Sequence, residues 1–228
     1  QNFSYTYDNV GNITSVTHNG LTTTYEYDSL GQLTRVNDPH AGKSTMYLYD
    51  CGGNMTGYLS APYTLAPTLE GVNETVFYTY GDSNWKDKVT AIGGKAITYD
   101  AIGNPLTYDG WTFTWKAGRM LASMVKTGTN AQFTYDHNGL RIKKVVNGVT
   151  TNYTLNGKNV VHMTQGSNDL HFFYDAQNRP AVVVHNGKPY GYLYNLQGDV
   201  IALIDSNGKK VVEYKYDAWG RILSKTGT

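Results

Sequence analysis

The sequence predicts an all-β protein, a continuous antiparallel meander of tandem hairpins, and three observations carry that prediction. A Tyr-x-Tyr-Asp stretch with Gly three residues after the Asp recurs along the chain, mostly at intervals of about 19 to 22 residues. Such a period is the signature of a repeat architecture. Asn-Gly pairs lie between copies, and Asn-Gly is the strongest short hairpin signal. Nowhere do apolar residues recur at helical spacing over a useful length.

The clearest unit is Tyr25 to Val36, Y-E-Y-D-S-L-G-Q-L-T-R-V. In a strand, residues two apart share a face, so Tyr25 and Tyr27 place their rings side by side while Glu26 points away. Asp28 stands where the chain must turn, and its short carboxylate can bond nearby backbone N–H groups. Gly31 falls where a positive φ is expected, a conformation only glycine adopts cheaply. Leu33 and Val36 then suit a returning strand. Strand, turn and strand make a hairpin.

Taken in order, residues 1 to 58 hold three such units, built on Tyr5, Tyr7, Asp8 and Gly11, on Tyr25, Tyr27, Asp28 and Gly31, and on Tyr47, Tyr49 and Asp50. Asp38 to Gly42 reads as an inter-unit turn. Residues 59–76 contain two prolines and no strand alternation, which predicts an insertion, either a surface loop, the favoured reading, or a point where the sheet bends. Residues 77 to 125 are more degenerate. They carry a long tip at Gly81 to Asp87, a unit at Tyr99, Asp100 and Gly103, and a tight turn at Asp109-Gly110 leading into an alternating aromatic strand, Trp111 to Trp115. Regular spacing returns with Tyr135, Asp136 and Gly139, continues through copies at Tyr153, Phe172 and Tyr192, and ends with Tyr214, Tyr216, Asp217 and Gly220. Turn signals between units are Asn19-Gly20, Asn147-Gly148, Asn156-Gly157, Asn186-Gly187 and Asn207-Gly208.

The reading is thus one array over residues 1–228, with roughly eleven hairpins and about 22 strands. Open twisted sheets rarely exceed about ten strands without curling or splitting. A curved or spiralling sheet follows, in which each unit buries its Tyr, Leu and Val positions against its neighbours, as in a solenoid. The outermost strands would offer edges for self-association.

Composition narrows the function. A formal net charge of +1, with lysines and arginines scattered singly, gives no electrostatic case for a nucleic-acid partner or an anionic membrane surface. No apolar run approaches the roughly 20 residues of a spanning helix, so direct membrane insertion is not expected. Cys51 is the single cysteine, which precludes an intrachain disulfide. The repeated aspartates invite a glycosidase reading, since paired carboxylates do that work. A residue copied into every unit is better explained by turn geometry. No two of the six histidines are spaced like a metal-site pair, and there is no phosphate loop, dinucleotide fingerprint or nucleophile elbow. No catalytic residue, metal or cofactor is expected. The candidates for ligand contact are Trp85, Trp111, Trp115 and Trp219, whose rings could stack on a sugar or a peptide or could pack between strands like the tyrosines.

At its repeated YDxxGxL/I pattern, and in the stretches 78–92, 97–115 and 192–227 (the last containing NLQGDVIALID and YDAWGR), the chain resembles the RHS/YD-repeat family. The most similar part of that family is the segment preceding the RHS-repeat-associated core in large secreted or surface proteins of Gram-positive bacteria. The resemblance implies a β-strip that spirals into a hollow shell around a variable C-terminal toxin used in bacterial competition. The implied partners are the rest of the parent protein, its plugging core and the toxin. A non-catalytic shell segment is therefore the first expected function, and a carbohydrate- or protein-binding surface module the second.

Overall fold

A computed structural model describes residues 2–227, which form 22 strands and no helix. The chain divides into two compact units, residues 1–98 and 99–228. The first holds β1 (Phe3–Tyr7), β2 (Ile13–His18), β3 (Leu21–Tyr27), β4 (Leu33–Asp38), β5 (Lys43–Tyr49), β6 (Met55–Pro62), β7 (Glu74–Thr79), β8 (Ala91–Ile92) and most of β9 (Lys95–Tyr99). Each of these strands pairs antiparallel with the next. The second holds β10 (Pro105–Tyr108), β11 (Trp111–Lys116), β12 (Met120–Lys126), β13 (Thr129–Tyr135), β14 (Arg141–Val146), β15 (Val149–Asn156) and β16 (Asn159–Gln165). It continues through β17 (Asn168–Tyr174), β18 (Pro180–His185), β19 (Lys188–Tyr194), β20 (Val200–Ile204), β21 (Lys210–Tyr216) and β22 (Ile222–Gly227). Here too every consecutive pair is antiparallel. The meander read from the sequence is the fold.

Two turn chemistries alternate along it. At one, Asn19, Asn147, Asn186 and Asp109 take φ of 46° to 50°, and the glycine after each takes 75° to 82°. Positive φ at both central residues is the turn whose twist matches that of the flanking strands. Two of the expected Asn-Gly turns are different. Asn156 ends β15 and pairs with Asn159, so the turn is Gly157-Lys158. Asn207 and Gly208 complete a longer turn closed by Asp205, which accepts the Asn207 and Lys209 N–H groups at 2.9 Å each.

Away from the insertion described below, strands such as β11 and β13 have one packed and one open face. Burial alternates residue by residue along β11 and β13, and Phe133 and Ala131 on the packed face are 9% and 4% exposed. Tyr and Trp rings two residues apart lie side by side on that face: Tyr192 and Tyr194 are 6.3 Å apart, and Trp111 and Phe113 6.4 Å. The opposite face carries hydroxyl pairs such as Thr17–Thr22 at 2.9 Å and Thr114–Ser123 at 2.7 Å. Such cross-strand pairs contribute roughly 0.2–1 kcal/mol each.

The insertion is narrower than residues 59–76. Residues 59–62 extend β6 and residues 74–76 begin β7, which leaves 63–73 outside the strands. Pro62 causes no break because it is the last residue of its strand, a position that tolerates a missing N–H, and the Tyr63 N–H just beyond it bonds Gly42 O at 2.9 Å. The loop is exposed along most of its length, yet it is fastened to the sheet beneath it. Buried Arg35 donates through its guanidinium to Thr64 O (3.2 Å), Ala66 O (2.7 Å) and Pro67 O (3.0 Å), and its Nε donates to Asn37 Oδ1 (2.8 Å). Ser44 Oγ donates to Thr64 O and accepts from Thr64 N–H. Under this cover Arg35, Asn37, Ser44 and Ala61 are all at most 4% exposed.

Candidate functional site

The repeat position with the densest chemistry is the aspartate turn. In the Tyr25 unit, Asp28 Oδ1 accepts the N–H groups of Leu30 and Gln32, both at 2.9 Å, and Oδ2 accepts the Gln32 side-chain amide at 2.7 Å. Gly31 takes φ 76° and donates its N–H to Asp28 O at 3.0 Å. The same bonds form at Asp8 with Asn12, at Asp50 with Asn54, and at Asp100 with Asn104. Arg179 and Arg221 supply the side-chain donor to Asp175 and Asp217. Asp136 has Leu140 there and receives only backbone donors. In the Asp175 turn, Asn178 stands in for glycine at φ 62°.

Sequence reasoning missed the residue four after the aspartate. It is Asn, Gln or Arg in six of these turns, each able to donate to the second carboxylate oxygen. One turn exchanges the two roles. Asn195 Oδ1 accepts the Asp199 N–H, and Asn195 Nδ2 donates to Asp199 Oδ2, both at 2.8 Å. The turn thus needs an acceptor and a donor in reach of each other. This explains the repeated aspartates by geometry: their lone pairs are taken by the turn.

A second device joins one hairpin to the one before it. The second ring of the Tyr-x-Tyr motif donates its O–H to the carbonyl at the start of the preceding strand. Tyr27 bonds Ile13 O (2.9 Å), Tyr49 Leu33 O (2.8 Å), Tyr80 Met55 O (2.9 Å), Tyr135 Leu121 O (3.0 Å), Tyr174 Val160 O (2.8 Å) and Tyr216 Val200 O (2.7 Å). Tyr194 bonds Pro180 O in the same way. In β11 the ring is Trp115, whose Nε1–H reaches Pro105 O at 2.7 Å. Tyr49→Phe should therefore cost about 1 kcal/mol, the net worth of one hydrogen bond, with faster amide exchange confined to β4 and β5. A change spread evenly over the chain would contradict a local stitch.

These groups set the response to pH. The Gln32 N–H holds the Asp28 carboxyl below the usual range, as the Asn54 amide does for Asp50 and the Arg179 N–H for Asp175. Asp82 is lowered to about 2 by the Lys88 ammonium and by the Trp85 and Asn84 N–H groups. Burial pushes Tyr25 and Tyr192 up to about 12. A lowered carboxyl contributes stability that is present above its unfolded value of 3.8 and lost as pH falls through the folded one, near 2 for Asp82. A raised phenol contributes stability that is full below 10 and lost as pH rises toward about 12. In an NMR titration the Asn84 and Trp85 amides should move with a midpoint near 2. Phenolate absorbance should show a late fraction near 12. Midpoints at 3.8 and 10 would refute both assignments.

The four tryptophans differ in exposure. Trp111 and Trp115 lie half-buried on the packed face of β11, with the Lys126 ammonium 5.9 Å from the Trp111 ring centroid. Trp85 and Trp219 are 48% and 55% exposed, one in each unit. The structure also brings together a trio that the histidine spacing did not suggest, His162, Asp169 and His171, described below. The missed signal was the Gly166 turn, which makes residues 162 and 171 direct partners.

Aspartate turns, tyrosine stitches and a hydroxyl-bearing opposite face define a tandem YD-repeat hairpin protein. The chain belongs to the Teneurin YD-shell family, which it matches over residues 1–228. It is 35% identical over 202 residues to the tRNA3(Ser)-specific nuclease WapA of Bacillus spizizenii and, over the same length, to the tRNA nuclease WapA of Bacillus subtilis strain 168. Each match covers 85% of this chain and 8% of the relative, so the chain spans a small part of these proteins. Among solved structures, the Photorhabdus luminescens Tc holotoxin pore matches with a TM-score of 0.72 at 19% identity, over 99% of this chain and 13% of that one. The TcdB2-TccC3-Cdc42 complex matches with a TM-score of 0.70 at 18% identity, over 99% and 14%. These structures share the fold.

Proposed function

We propose that this chain is a non-catalytic stretch of wall in a YD-repeat shell, which encloses or presents a C-terminal toxin of a large secreted or surface bacterial protein. The observation that carries the reading is the stitch: eight times along the chain a hairpin is fastened to the one before by a tyrosine hydroxyl or the Trp115 indole. A wall needs this continuous, locally fastened sheet, and the aspartates of its repeat motif are spent on turns. Relatives named as nucleases and structural neighbours named as toxins support the nature of the cargo. The partners are then the rest of the parent chain, its plugging core and the toxin. β1 pairs with β2 and β22 with β21, so each offers its other edge to a further strand of the parent or of a second copy.

The test is proteolysis of the parent protein with a nonspecific protease, following its C-terminal segment by mass. Enclosure predicts that the segment survives within the parent and is degraded when produced alone. Immediate loss of the segment while the repeats persist would leave the array an open scaffold.

A further inference from the structure

Near the tip of the hairpin formed by β16 and β17, three side chains converge in a way the repeat does not require. His162 and His171 are cross-strand partners, and their rings stack with centroids 4.3 Å apart and planes 12° from parallel. Both Nε2 atoms face one oxygen, Asp169 Oδ1, at 3.2 Å from His162 and 3.0 Å from His171. The three potential ligand atoms all lie within 4.8 Å of one another.

Equivalent tips show what the frame alone demands. Asp169 N–H donates to Asn186 Oδ1 and Asn186 N–H donates to Asp169 O, both at 2.8 Å, so the next tip pins the backbone that carries the carboxylate. Asn130 and Asn147 exchange the same two bonds at the end of β12 and β13. There the positions of His162 and His171 are filled by Ser123 and Gln132, and that of Asp169 by Asn130. On β14 and β15 the histidine positions hold Lys143 and Asn152, and on β18 and β19 Val182 and Gly191. The frame forms without two imidazoles and a carboxylate, so the trio is an addition to it.

We propose that His162, Asp169 and His171 bind a divalent transition-metal ion of the Zn²⁺ or Cu²⁺ class, with water completing its coordination. Imidazole nitrogen and carboxylate oxygen are the ligands such ions take, and three protein ligands leave a position open. Metal–ligand bonds of about 2.0–2.2 Å at tetrahedral angles set neighbouring ligand atoms about 3.3 Å apart. The two histidine-to-carboxylate separations are close to that. The His162 and His171 side chains are 30% and 51% exposed, which gives the rings room to tilt toward a shared ion and gives the ion a path in. On binding, each Nε2 presents a lone pair, with the ring proton on Nδ1. The ion would tie β16 to β17 across the open face. This inference does not depend on the shell reading.

The test is calorimetric titration of chelator-stripped protein with Zn²⁺ alone, for the unsubstituted chain, Asp169→Asn and His171→Gln. One ion per chain is expected, with affinity lower by about 10-fold or more in each variant, the size of loss that even outer-shell changes produce. In histidine-ring NMR spectra of the unsubstituted chain, the His162 and His171 signals should shift with Zn²⁺ while His18, His40, His137 and His185 stay in place. That map decides the matter even if a variant fails to fold. Variants that bind as the unsubstituted chain does, shifts spread over all six rings, or no uptake at all would each overturn the proposal.

Discussion

Arg35→Met is expected to cost about 3 kcal/mol and to free the insertion from the sheet. The guanidinium is 5% exposed and supplies the donors to Thr64 O, Ala66 O and Pro67 O. Methionine keeps the stem and removes every donor, so these carbonyls lose charge-assisted bonds worth about 1.5–3 kcal/mol each, a loss that water offsets in part once the exposed loop lifts away. The 3.9 Å contact with Glu26 adds little, because that carboxylate is 58% exposed. Arg35→Lys should rescue poorly, since one ammonium cannot span three carbonyls held by a planar fork. Urea unfolding gives the energy, and cleavage within residues 63–73 by a nonspecific protease reports the release. An Arg35→Met protein with unchanged stability and an uncut insertion would show that the loop holds itself.

Gly57→Ala should be nearly as damaging, for a different reason. Gly57 is buried in β6, and a Cβ added there would lie 2.6 Å from Val76 O and 2.7 Å from Phe77 Cδ1. Phe77 pairs directly with Gly57 across β6 and β7. Its ring can swing away, but the Val76 carbonyl belongs to the neighbouring strand and cannot move unless the pairing opens. Overpacking of this kind costs about 1–3 kcal/mol. Gly191→Ala is the control, because its nearest obstacle is the Ile204 side chain at 3.3 Å, which can shift. Comparable losses in the two variants would show that the strands tolerate the approach.

Much of this structure was legible in the sequence because the code is local. Tyr25 and Tyr27 on one face, Asp28 at the corner and Gly31 at φ 76° follow from strand alternation, turn chemistry and glycine's freedom within a dozen residues. What could not be read lies in contacts across the array. Arg35 is a charged residue in the middle of a strand, and it is buried because a loop some thirty residues later folds over it and accepts its hydrogen bonds. The hydroxyls of Tyr27 and Tyr49 have acceptors only once the preceding hairpin is in place. Asn156-Gly157 and Asn207-Gly208 both lie at turns as expected, but the Asn-Gly pair alone does not tell which two residues are central. In the first, Asn156 still belongs to the strand, and in the second Asp205 closes the turn. His162 and His171 looked unrelated at nine residues apart until the register made them opposite.

The stitches run in one direction only, from a later hairpin back to the one before it, commonly over fourteen residues. A chain emerging from a ribosome or an export channel therefore always has the acceptor in hand before the donor arrives. Growth can proceed by zipping, with little waiting on distant sequence. The joint is the same wherever Tyr meets a strand-start carbonyl, so whole hairpins could be gained or lost in evolution without redesigning the seam. Array length then becomes a quantity that selection can tune one hairpin at a time.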